Sequence, residues 1–415
     1  AVVTLCAEAA LRAADEAGRR WRDGTARPLE GVPYGLKDTI DTAGVPTSYG
    51  SALYAGHVPE RDAEAQRRLA AAGGILVAKL ATYEFEAGRN ARTRNPWDLT
   101  RMSGGSSSGS VAAVGAGQLP LALGSDAGGS IRVPAAWCGV VGFKPTYGRI
   151  SRRGAVSCSW TLGHLGTITR GVRDAAPVLG VLAGYDPGDP YSADRPAEDH
   201  AAALGVGPPD LTGVRIGVPA EWFTDLCEPD IAAAVLAAQD ALAAAGATLV
   251  PVSMPLLRRV NPDAPKHLIV PAEAASMHEA HLDRIGEFGD AFRALLLEGQ
   301  LVTAADYLRA LRLRALLQAE VADAFSRVDA LITPGSVLTA PPLTAETVTL
   351  DGREHQLNAV VARTTSLFNL SGTPAVCVPY GRAANGLPVS VQIATPAWQE
   401  TRALVIASAL EAPVR

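Results

Sequence analysis

The sequence has 415 residues, of which 48% are hydrophobic and 19% are charged. A chain of this length and composition can bury a large core, which excludes a disordered protein and a small scaffold held by disulfides. The five cysteines are an odd number, and they lack C-x-x-C spacing. This pattern predicts reduced thiols in a cytoplasmic protein.

Charge and hydropathy exclude two further classes of partner. The 37 basic and 42 acidic residues give a net charge of −5 without a basic block, which predicts a small-molecule partner and no nucleic acid. Apolar runs fall short of the roughly 18 residues that span a bilayer, so we expect no membrane partner. The stretch from Ala1 to Trp21 predicts an amphipathic helix without the features of a signal peptide.

Short β-rich runs alternate along the chain with alanine-rich stretches. This alternation predicts an α/β fold with a central twisted mixed β-sheet covered by helices on both faces. The predicted strands are Val32–Leu36, Ile75–Ala78, Leu121–Gly124, Gly139–Phe143, Arg215–Val218, Thr248–Val252, Ala330–Thr333, Ala375–Val378 and Val389–Ile393. The predicted helices are Leu5–Arg22, Asp62–Ala72, Gly109–Ala116, Asp174–Ala183, Asp230–Ala245, Ala304–Phe325 and Glu400–Leu410.

One long stretch, residues 184–213, has no apolar period and predicts a surface excursion. A linker between two domains has a similar composition. Because the strands on either side can complete one sheet, we expect a single domain over residues 1–415.

Lysines are rare, since only four of the 37 basic residues are lysines, at positions 37, 79, 144 and 266. An arginine stays protonated at accessible pH, whereas a buried lysine amine can lose its proton and act as a base. We expect Lys79 and Lys144 to be structural cations near loops. Lys37 lies in the apolar run GVPYGLKDTI, where desolvation lowers the pKa of an amine.

The segment from Ser103 to Pro134 contains two short glycine-serine loops separated by a predicted helix and an apolar strand. Glycine-rich turns allow backbone N–H groups to converge on a phosphate or on a tetrahedral oxyanion. The Walker and G-x-G-x-x-G patterns are not met, which disfavours nucleotide binding. Tight turns without a catalytic role are an alternative for both loops.

Another alternative is a serine hydrolase with a G-x-S-x-G elbow centred on Ser107, since Gly105–Gly109 matches that pattern. This fold needs a downstream acid followed by a histidine. The seven histidines of the chain offer no clear late partner. We therefore expect Ser107 to hydrogen-bond the core rather than to attack.

Three motifs, in this order, resemble the amidase signature family. They are G-L-K-D at residues 35–38, G-G-S-S-x-G-S at residues 104–110 and D-x-G-G-S-I-R at residues 126–132. The resemblance continues through GVVGFKPT at 139–146 and FNLSGTPA at 368–375, with a core signature region at about 31–170. Family members usually have more helical residues at the start, so the N-terminal helical part is expected to be clipped.

The resemblance implies amide hydrolysis by a Ser-Ser-Lys triad. Lys37 is implied as the base, Ser106 as a bridging serine in a cis peptide, and Ser130 as the nucleophile that forms an acyl-enzyme. Such chemistry also needs N–H donors for the oxyanion, which a glycine turn can supply. The predicted donors are the N–H groups of Ala127, Gly128, Gly129 and Ser130. Asp126 and Arg132 are implied as supports of this loop.

Tyr83, Glu84 and Phe85 resemble the segment that lines the substrate channel in the family. Glu86 follows where a small apolar residue is common, and we expect it to be a solvated glutamate, with a contact to a cationic substrate as the alternative. Cys158 is expected to pack at the pocket rather than to act as a nucleophile, since nothing nearby in the sequence generates a thiolate.

The preferred function is a stand-alone amidase acting on a small-molecule amide. The family also contains the A subunit of the aminoacyl-tRNA amidotransferase, which releases ammonia from glutamine for another protein of the complex. An acidic residue expected for that enzyme aligns with Ala362, which disfavours this alternative. A scaffold without activity is opposed by the intact triad residues.

The sequence predicts no cofactor and no metal. The pair His278 and His281 misses the H-E-x-x-H spacing and has no third ligand. A homodimer is left open by the sequence.

Overall fold

The computed structural model describes residues 1–88 and 92–411. The strands are β1 Val2–Leu5, β2 Pro33–Lys37, β3 Ile75–Leu80, β4 Leu121–Asp126, β5 Val141–Lys144, β6 His164–Thr169, β7 Arg215–Pro219, β8 Thr248–Val252, β9 Ala330–Pro334, β10 Thr347–Leu350, β11 Arg353–Gln356, β12 Ala375–Arg382 and β13 Pro388–Ala394. The helices are α1 Ala7–Arg22, α2 Glu64–Ala71, α3 Ser108–Gly115, α4 Arg132–Cys138, α5 Val172–Leu182, α6 Pro229–Ala244, α7 Lys266–Met277, α8 Asp290–Leu301, α9 Ala304–Arg327, α10 Leu357–Val360, α11 Ser366–Leu370 and α12 Glu400–Ser408.

Eleven strands form one mixed sheet in the order β1-β3-β2-β4-β6-β5-β12-β13-β9-β7-β8. Helices α3, α4, α5, α6 and α12 pack on its strands. The predicted fold class, a mixed sheet flanked by helices, is confirmed. Strands β10 and β11 form a separate antiparallel hairpin.

The core of the sheet explains why its strands form. Leu36 of β2, Leu123 of β4, Phe143 of β5 and Ile332 of β9 are buried in one hydrophobic cluster. Burial of each such side chain contributes about 1.5–3 kcal/mol. Strands with apolar residues on both faces are expected in a sheet that helices cover.

Several elements escape the sequence patterns. The amphipathic pattern of the first residues predicts helix throughout, whereas Val2–Leu5 pairs antiparallel with β3 and the helix begins at Ala7. No strand is predicted at β6 because its sequence, HLGTIT, has no apolar run, although all six residues are buried between β4 and β5. The patterns also miss α7, which contains Pro271 within the helix.

The excursion at residues 184–213 contains one short 3-10 turn, Ala202–Leu204, within its 30 described residues. Strands on either side of it, β6 and β7, belong to the same sheet. The assignment of residues 1–415 to one domain stays a prediction. Within the described residues, the helices are too short or too polar to cross a membrane.

The sheet determines where the signature motifs meet. β2 and β4 are parallel neighbours, with Tyr34 opposite Leu121 and Leu36 opposite Leu123. Lys37 ends β2 and Asp126 ends β4, so both lie at the same edge of the sheet. The carboxyl ends of parallel strands are the usual place for a site in such a sheet.

Candidate active site

Lys37 lies at the centre of a buried polar cluster. Its side chain is fully buried, and Nζ lies 2.7 Å from Ser106 Oγ and 2.5 Å from Ser125 Oγ. The carboxylate of Glu86 lies 3.1 Å from the same nitrogen. The structure therefore brings the lysine and the first signature serine, which are 69 residues apart in sequence, into direct contact.

Two opposing effects act on the amine. Burial lowers the pKa of Lys37, and the nearby Glu86 carboxylate raises it, with burial the larger effect. The pKa of Lys37 therefore lies below the ordinary value for lysine. A neutral amine, which a general base requires, becomes accessible at a less alkaline pH than for an exposed lysine.

We expect kcat/KM for an amide substrate to rise with pH and then to reach a plateau. The base is active only when deprotonated, so activity appears above the pKa of Lys37 and is lost as the pH falls through it. Because burial lowers that pKa, the rise should lie below the titration range of exposed lysines. A pH–rate profile checks this, and a rate that falls from acid to neutral pH would contradict it.

The loop before α3 carries Ser106. The Gly105–Ser106 peptide bond is cis, as the resemblance implied. A Cβ on Gly105 would lie 2.1 Å from Cζ of Tyr83, so only glycine fits beneath that ring. The backbone N–H of Tyr83 also donates to the carbonyl of Ser106, at 3.3 Å. Tyr83, predicted to line the substrate channel, thus packs against this loop.

Ser107 contacts the backbone of β4. Its hydroxyl donates to the carbonyl of Ser125 at 3.2 Å and accepts from the N–H of Ser125 at 3.3 Å. The side chain is fully buried. These two contacts use the hydroxyl to join the loop to the sheet, whereas an elbow nucleophile must be exposed.

Ser130 follows the turn of the second signature loop and is half-buried. Its carbonyl accepts from the N–H of Ser107 at 3.3 Å, which brings the two glycine-serine loops together. Gly129 has a φ of +134°, and a Cβ there would lie 2.2 Å from Thr365 Oγ1. The turn therefore requires glycine at this position.

The backbone N–H groups of the turn divide into two sets. In residues 1–88 and 92–411, the N–H groups of Ala127, Gly128 and Ser130 have no protein acceptor. The N–H of Gly129 instead donates to Asp126 Oδ1, at 2.7 Å. Three of the four predicted oxyanion donors thus lack a protein acceptor among the described residues, and Gly129 differs from the prediction because Asp126 accepts from its N–H.

Asp126 and Arg132 form a fully buried ion pair behind the loop. Two nitrogens of Arg132 lie 3.0 Å from the two carboxylate oxygens, and Asn369 Nδ2 donates to Oδ1 at 2.8 Å. Burial alone would raise the pKa of Asp126, but the charge and hydrogen bonds of Arg132 hold it well below its usual range. The carboxylate therefore stays charged and fixes the turn.

We expect Asp126→Asn to destabilise the protein by about 3–5 kcal/mol, because it leaves the guanidinium of Arg132 buried without its counter-charge. Chemical denaturation monitored by circular dichroism measures the change. Asp323→Asn is the matched control, since Asp323 pairs with Arg327 at 2.9 Å at an exposed site. Equal effects of the two substitutions would contradict the structural role of the buried pair.

Residues far along the chain cover Gly128, and the sequence did not reveal them. Thr365 Oγ1 donates to the carbonyl of Gly128 at 2.7 Å, and Ser366 Oγ does so at 3.3 Å. The side chain of Lys266 lies beside Ser366, since a Cβ on Gly128 would lie 3.0 Å from Cδ of Lys266 and 3.7 Å from Oγ of Ser366. Lys266 Nζ is 3.3 Å from Asp263.

The remaining predicted pocket residues take different positions. Glu84 accepts from the N–H of Gly289 at 2.8 Å, and Phe85 is buried in an aromatic cluster. Cys158 is buried, and burial raises the pKa of its thiol, so a thiolate is disfavoured. Glu86 differs from the expectation of a solvated side chain, because it is buried and paired with Lys37.

A cleft of about 550 Å³ opens beside this cluster. Phe85 is the one predicted pocket residue among its lining side chains, which also include Tyr49, Tyr54, Ser157 and Trp160. Ser157 contacts Glu86, so the cleft wall is connected to the environment of the predicted base. Its lining also includes Arg152, Arg153 and Asp189, so the cleft presents both aromatic and charged side chains.

Lys79 and Lys144 are buried near loops. Lys79 Nζ lies 2.5 Å from Thr47 Oγ1 and 3.3 Å from Asp38. Lys144 Nζ donates to the carbonyls of Pro145 and Thr373. In the described part of the chain, no group of three or more His, Cys, Asp or Glu side chains is arranged to hold a metal ion.

A family model, sequence relatives and solved structures all match this chain to the same family. The family model described as Amidase matches residues 1–404. The A subunit of glutamyl-tRNA(Gln) amidotransferase from Chloroflexus aggregans (strain MD-66 / DSM 9485) is 40% identical over 99% of this chain and 88% of that protein. A solved chain from a vestigial protein complex that reveals the origins of an s-triazine catabolic enzyme has a TM-score of 0.92 at 34% identity, covering 99% of this chain and 90% of that chain.

The native peptide amidase of Stenotrophomonas maltophilia has a TM-score of 0.85 at 31% identity, covering 99% of this chain and 88% of that chain. Sequence relatives and solved structures thus agree with the signature motifs. The resemblance drawn from those motifs is confirmed, and the chain is an enzyme that belongs to the amidase family.

Proposed function

We propose that the chain hydrolyses the C–N bond of a carboxamide through an acyl-enzyme on Ser130. One observation carries this proposal: the fully buried amine of Lys37 lies 2.7 Å from Ser106 Oγ. The next residue, Ser107, contacts the backbone of Ser130. A buried base, a hydroxyl in contact with it and an adjacent half-exposed serine are the parts of an activated nucleophile.

In the proposed reaction, neutral Lys37 accepts the proton of Ser106, and Ser106 accepts the proton of Ser130. A hydroxyl can do both, since it donates one hydrogen bond and accepts others. Ser130 Oγ then attacks the amide carbon, and the C=O electron pair moves to the oxygen. The C–N bond breaks as the proton returns through Ser106 to the leaving nitrogen, and water repeats the sequence to release the acid.

The oxyanion is assigned to the N–H groups of Ala127, Gly128 and Ser130. These donors are unoccupied by protein atoms among the described residues. Loss of one such donor typically costs about 2.7–4 kcal/mol of barrier. The hydrogen bonds that Thr365 and Ser366 donate to the carbonyl of Gly128 support the turn.

The second candidate is glutamine hydrolysis as the A subunit of an aminoacyl-tRNA amidotransferase. The name of the relative at 40% identity favours this candidate over a stand-alone amidase. Ala362 opposes it, because this residue is 8% exposed and apolar where an acidic residue is expected. A site for glutamine must pair both charges of the zwitterion, and an unpaired buried charge is costly.

The test uses the purified chain alone with glutamine and with a panel of aryl, aliphatic and peptide carboxamides. Ammonia release and intact mass are measured for each compound. We expect release from a carboxamide without ATP, tRNA or a second protein, and an acyl adduct that maps to Ser130. Dominant glutaminase activity, or activity that needs tRNA together with a second protein, would favour the amidotransferase candidate.

An adduct on Ser107 would instead support the elbow nucleophile and contradict both candidates. We also propose that the enzyme acts in the cytoplasm, which is supported by the five free cysteines of the chain. Its proposed partner is a small-molecule amide.

A further inference from the structure

Glu86 is part of the buried cluster, but the proposed reaction does not use it. One carboxylate oxygen lies 3.1 Å from Lys37 Nζ and also accepts from the hydroxyl of Ser125. The other oxygen accepts from Ser157 Oγ at 2.9 Å and from the N–H of Cys158 at 3.3 Å. With its side chain 2% exposed and both oxygens bound, Glu86 is not available to a cationic substrate.

The acceptors around Lys37 fit the charged form of its amine. An ammonium group has three N–H donors. Ser106 Oγ, Ser125 Oγ and the Glu86 carboxylate lie 2.7, 2.5 and 3.1 Å from Nζ. To act as a base towards Ser106, Lys37 needs a lone pair on Nζ. The contact with Glu86 therefore stabilises the ammonium form, which cannot accept a proton.

Among the described residues, two other titratable groups act electrostatically on Lys37, namely Asp126 at the end of β4 and Cys158 in the loop after β5. The charge of Asp126 is paired with Arg132 at 3.0 Å. Burial raises the pKa of the Cys158 thiol, which keeps it neutral. Glu86 is thus the carboxylate in direct contact with the amine, and its charge is not paired with an arginine in the described contacts.

We propose that Glu86 is a positioning residue that holds Lys37 as the ammonium and thereby sets the pH above which the base forms. This inference rests on the proposed role of Lys37. An opposite charge within about 4–6 Å favours the charged form of a group by about one to three pKa units. Because the pKa of the amine is raised by the carboxylate, the neutral base is confined to higher pH, and removal of the carboxylate extends activity to lower pH.

The test compares wild type with Glu86→Gln and Glu86→Ala. The rate at which a fluorophosphonate labels Ser130 is measured as a function of pH, which needs no amide substrate. We expect the acid limb to move to lower pH by about one to three units in both variants. One unit below the wild-type limb, the variants should label up to about tenfold faster, while the alkaline plateau stays similar.

Glu86→Gln is expected to fold, because its amide keeps the size of the side chain and an oxygen that can accept from Ser157 and Cys158. Glu30→Gln is the matched control, since Glu30 is a buried carboxylate paired with Arg27 at 2.6 Å, at another site. Its acid limb should coincide with that of the wild type. Circular dichroism confirms folding of each variant.

A second measurement follows the protonation of the Lys37 amine directly. With only four lysines in the chain, 13C labelling at the lysine ε-carbon gives few signals, and Lys37→Arg assigns the one from Lys37. The signal of Lys37 should titrate at lower pH in the Glu86 variants than in the wild type. This titration does not depend on labelling of Ser130.

The possible outcomes distinguish the role of Glu86 from the role of Ser130. An acid limb and a Lys37 titration that stay in place, or move to higher pH, would overturn the role of Glu86. Absence of labelling at Ser130 in the wild type would refute the proposed nucleophile instead, and the titration of Lys37 would still test Glu86.

Discussion

Ser130→Ala is expected to abolish amide turnover, with a loss in kcat on the order of 10⁶-fold, the size seen when a catalytic serine is removed from a serine hydrolase. Without the hydroxyl, no acyl-enzyme can form. The unfolding free energy should change little, because Ser130 is half-buried and its hydroxyl has no hydrogen-bond partner among the described residues. Steady-state kinetics and intact mass measure the loss of turnover and of the acyl-enzyme. Chemical denaturation measures the free energy of unfolding.

Ser107→Ala is the matched control, because Ser107 is a serine of the adjacent loop and, among the described residues, its hydroxyl bonds the backbone of Ser125 alone. This variant should retain a measurable fraction of the wild-type rate. It should also still be labelled by a fluorophosphonate at Ser130. Full activity of Ser130→Ala together with loss of activity in Ser107→Ala would mean that Ser107 is the nucleophile and Ser130 is not.

Lys37→Arg should be as damaging as Lys37→Ala, each lowering kcat/KM by about 10²–10⁴-fold, the usual contribution of a general base. A guanidinium keeps the positive charge but cannot accept a proton at accessible pH. The comparison therefore separates a base from a mere cation at this position. Rates are measured on the same carboxamide across the full pH range of the wild type.

Lys37→Met extends this comparison, since it removes the charge but keeps most of the length of the side chain. We expect Met, Ala and Arg variants to be similarly inactive. A near-native rate in Lys37→Arg alone would mean that Lys37 supplies only charge, and another group would have to remove the proton. Thermal unfolding of each variant distinguishes lost chemistry from lost folding.

Local sequence patterns predicted much of the sheet. β8 begins and ends where the pattern places it, at Thr248 and Val252, because the short run TLVPV contains three β-branched residues and lies between Gly246 and Ser253. β6 was missed because its burial comes from its neighbours β4 and β5 rather than from its own composition. Tertiary context overrides propensity in such a strand.

In the site, too, the residues within the motifs could be identified from the sequence, whereas a residue distant in the chain could not. The family resemblance implied that Lys37 and Ser106 are partners, and the two are in contact. They could not predict Thr365, which bonds Gly128 from 237 residues further along the chain. Such contacts depend on how the last helices dock on the sheet, and no local periodicity encodes that docking.

The expectation that Glu86 is solvated is wrong for a related reason. Its φ of +69°, next to a φ of +42° at Phe85, belongs to a turn that directs the carboxylate towards the end of β2. A glutamate is exposed in most proteins unless it is paired, so composition predicts a solvated side chain. The pairing with Lys37 arises only when the turn and the strand are placed side by side.

The burial of the lysines affects how the surface reacts with chemical reagents. Lys37, Lys79 and Lys144 are fully buried, and the side chain of Lys266 is 14% exposed. Arginines supply the other surface cations, so succinimidyl esters find almost no side-chain amine on the folded protein. Acylation of lysines would then require the molecule to open, and the yield of a brief pulse of such a reagent would measure how often it does so.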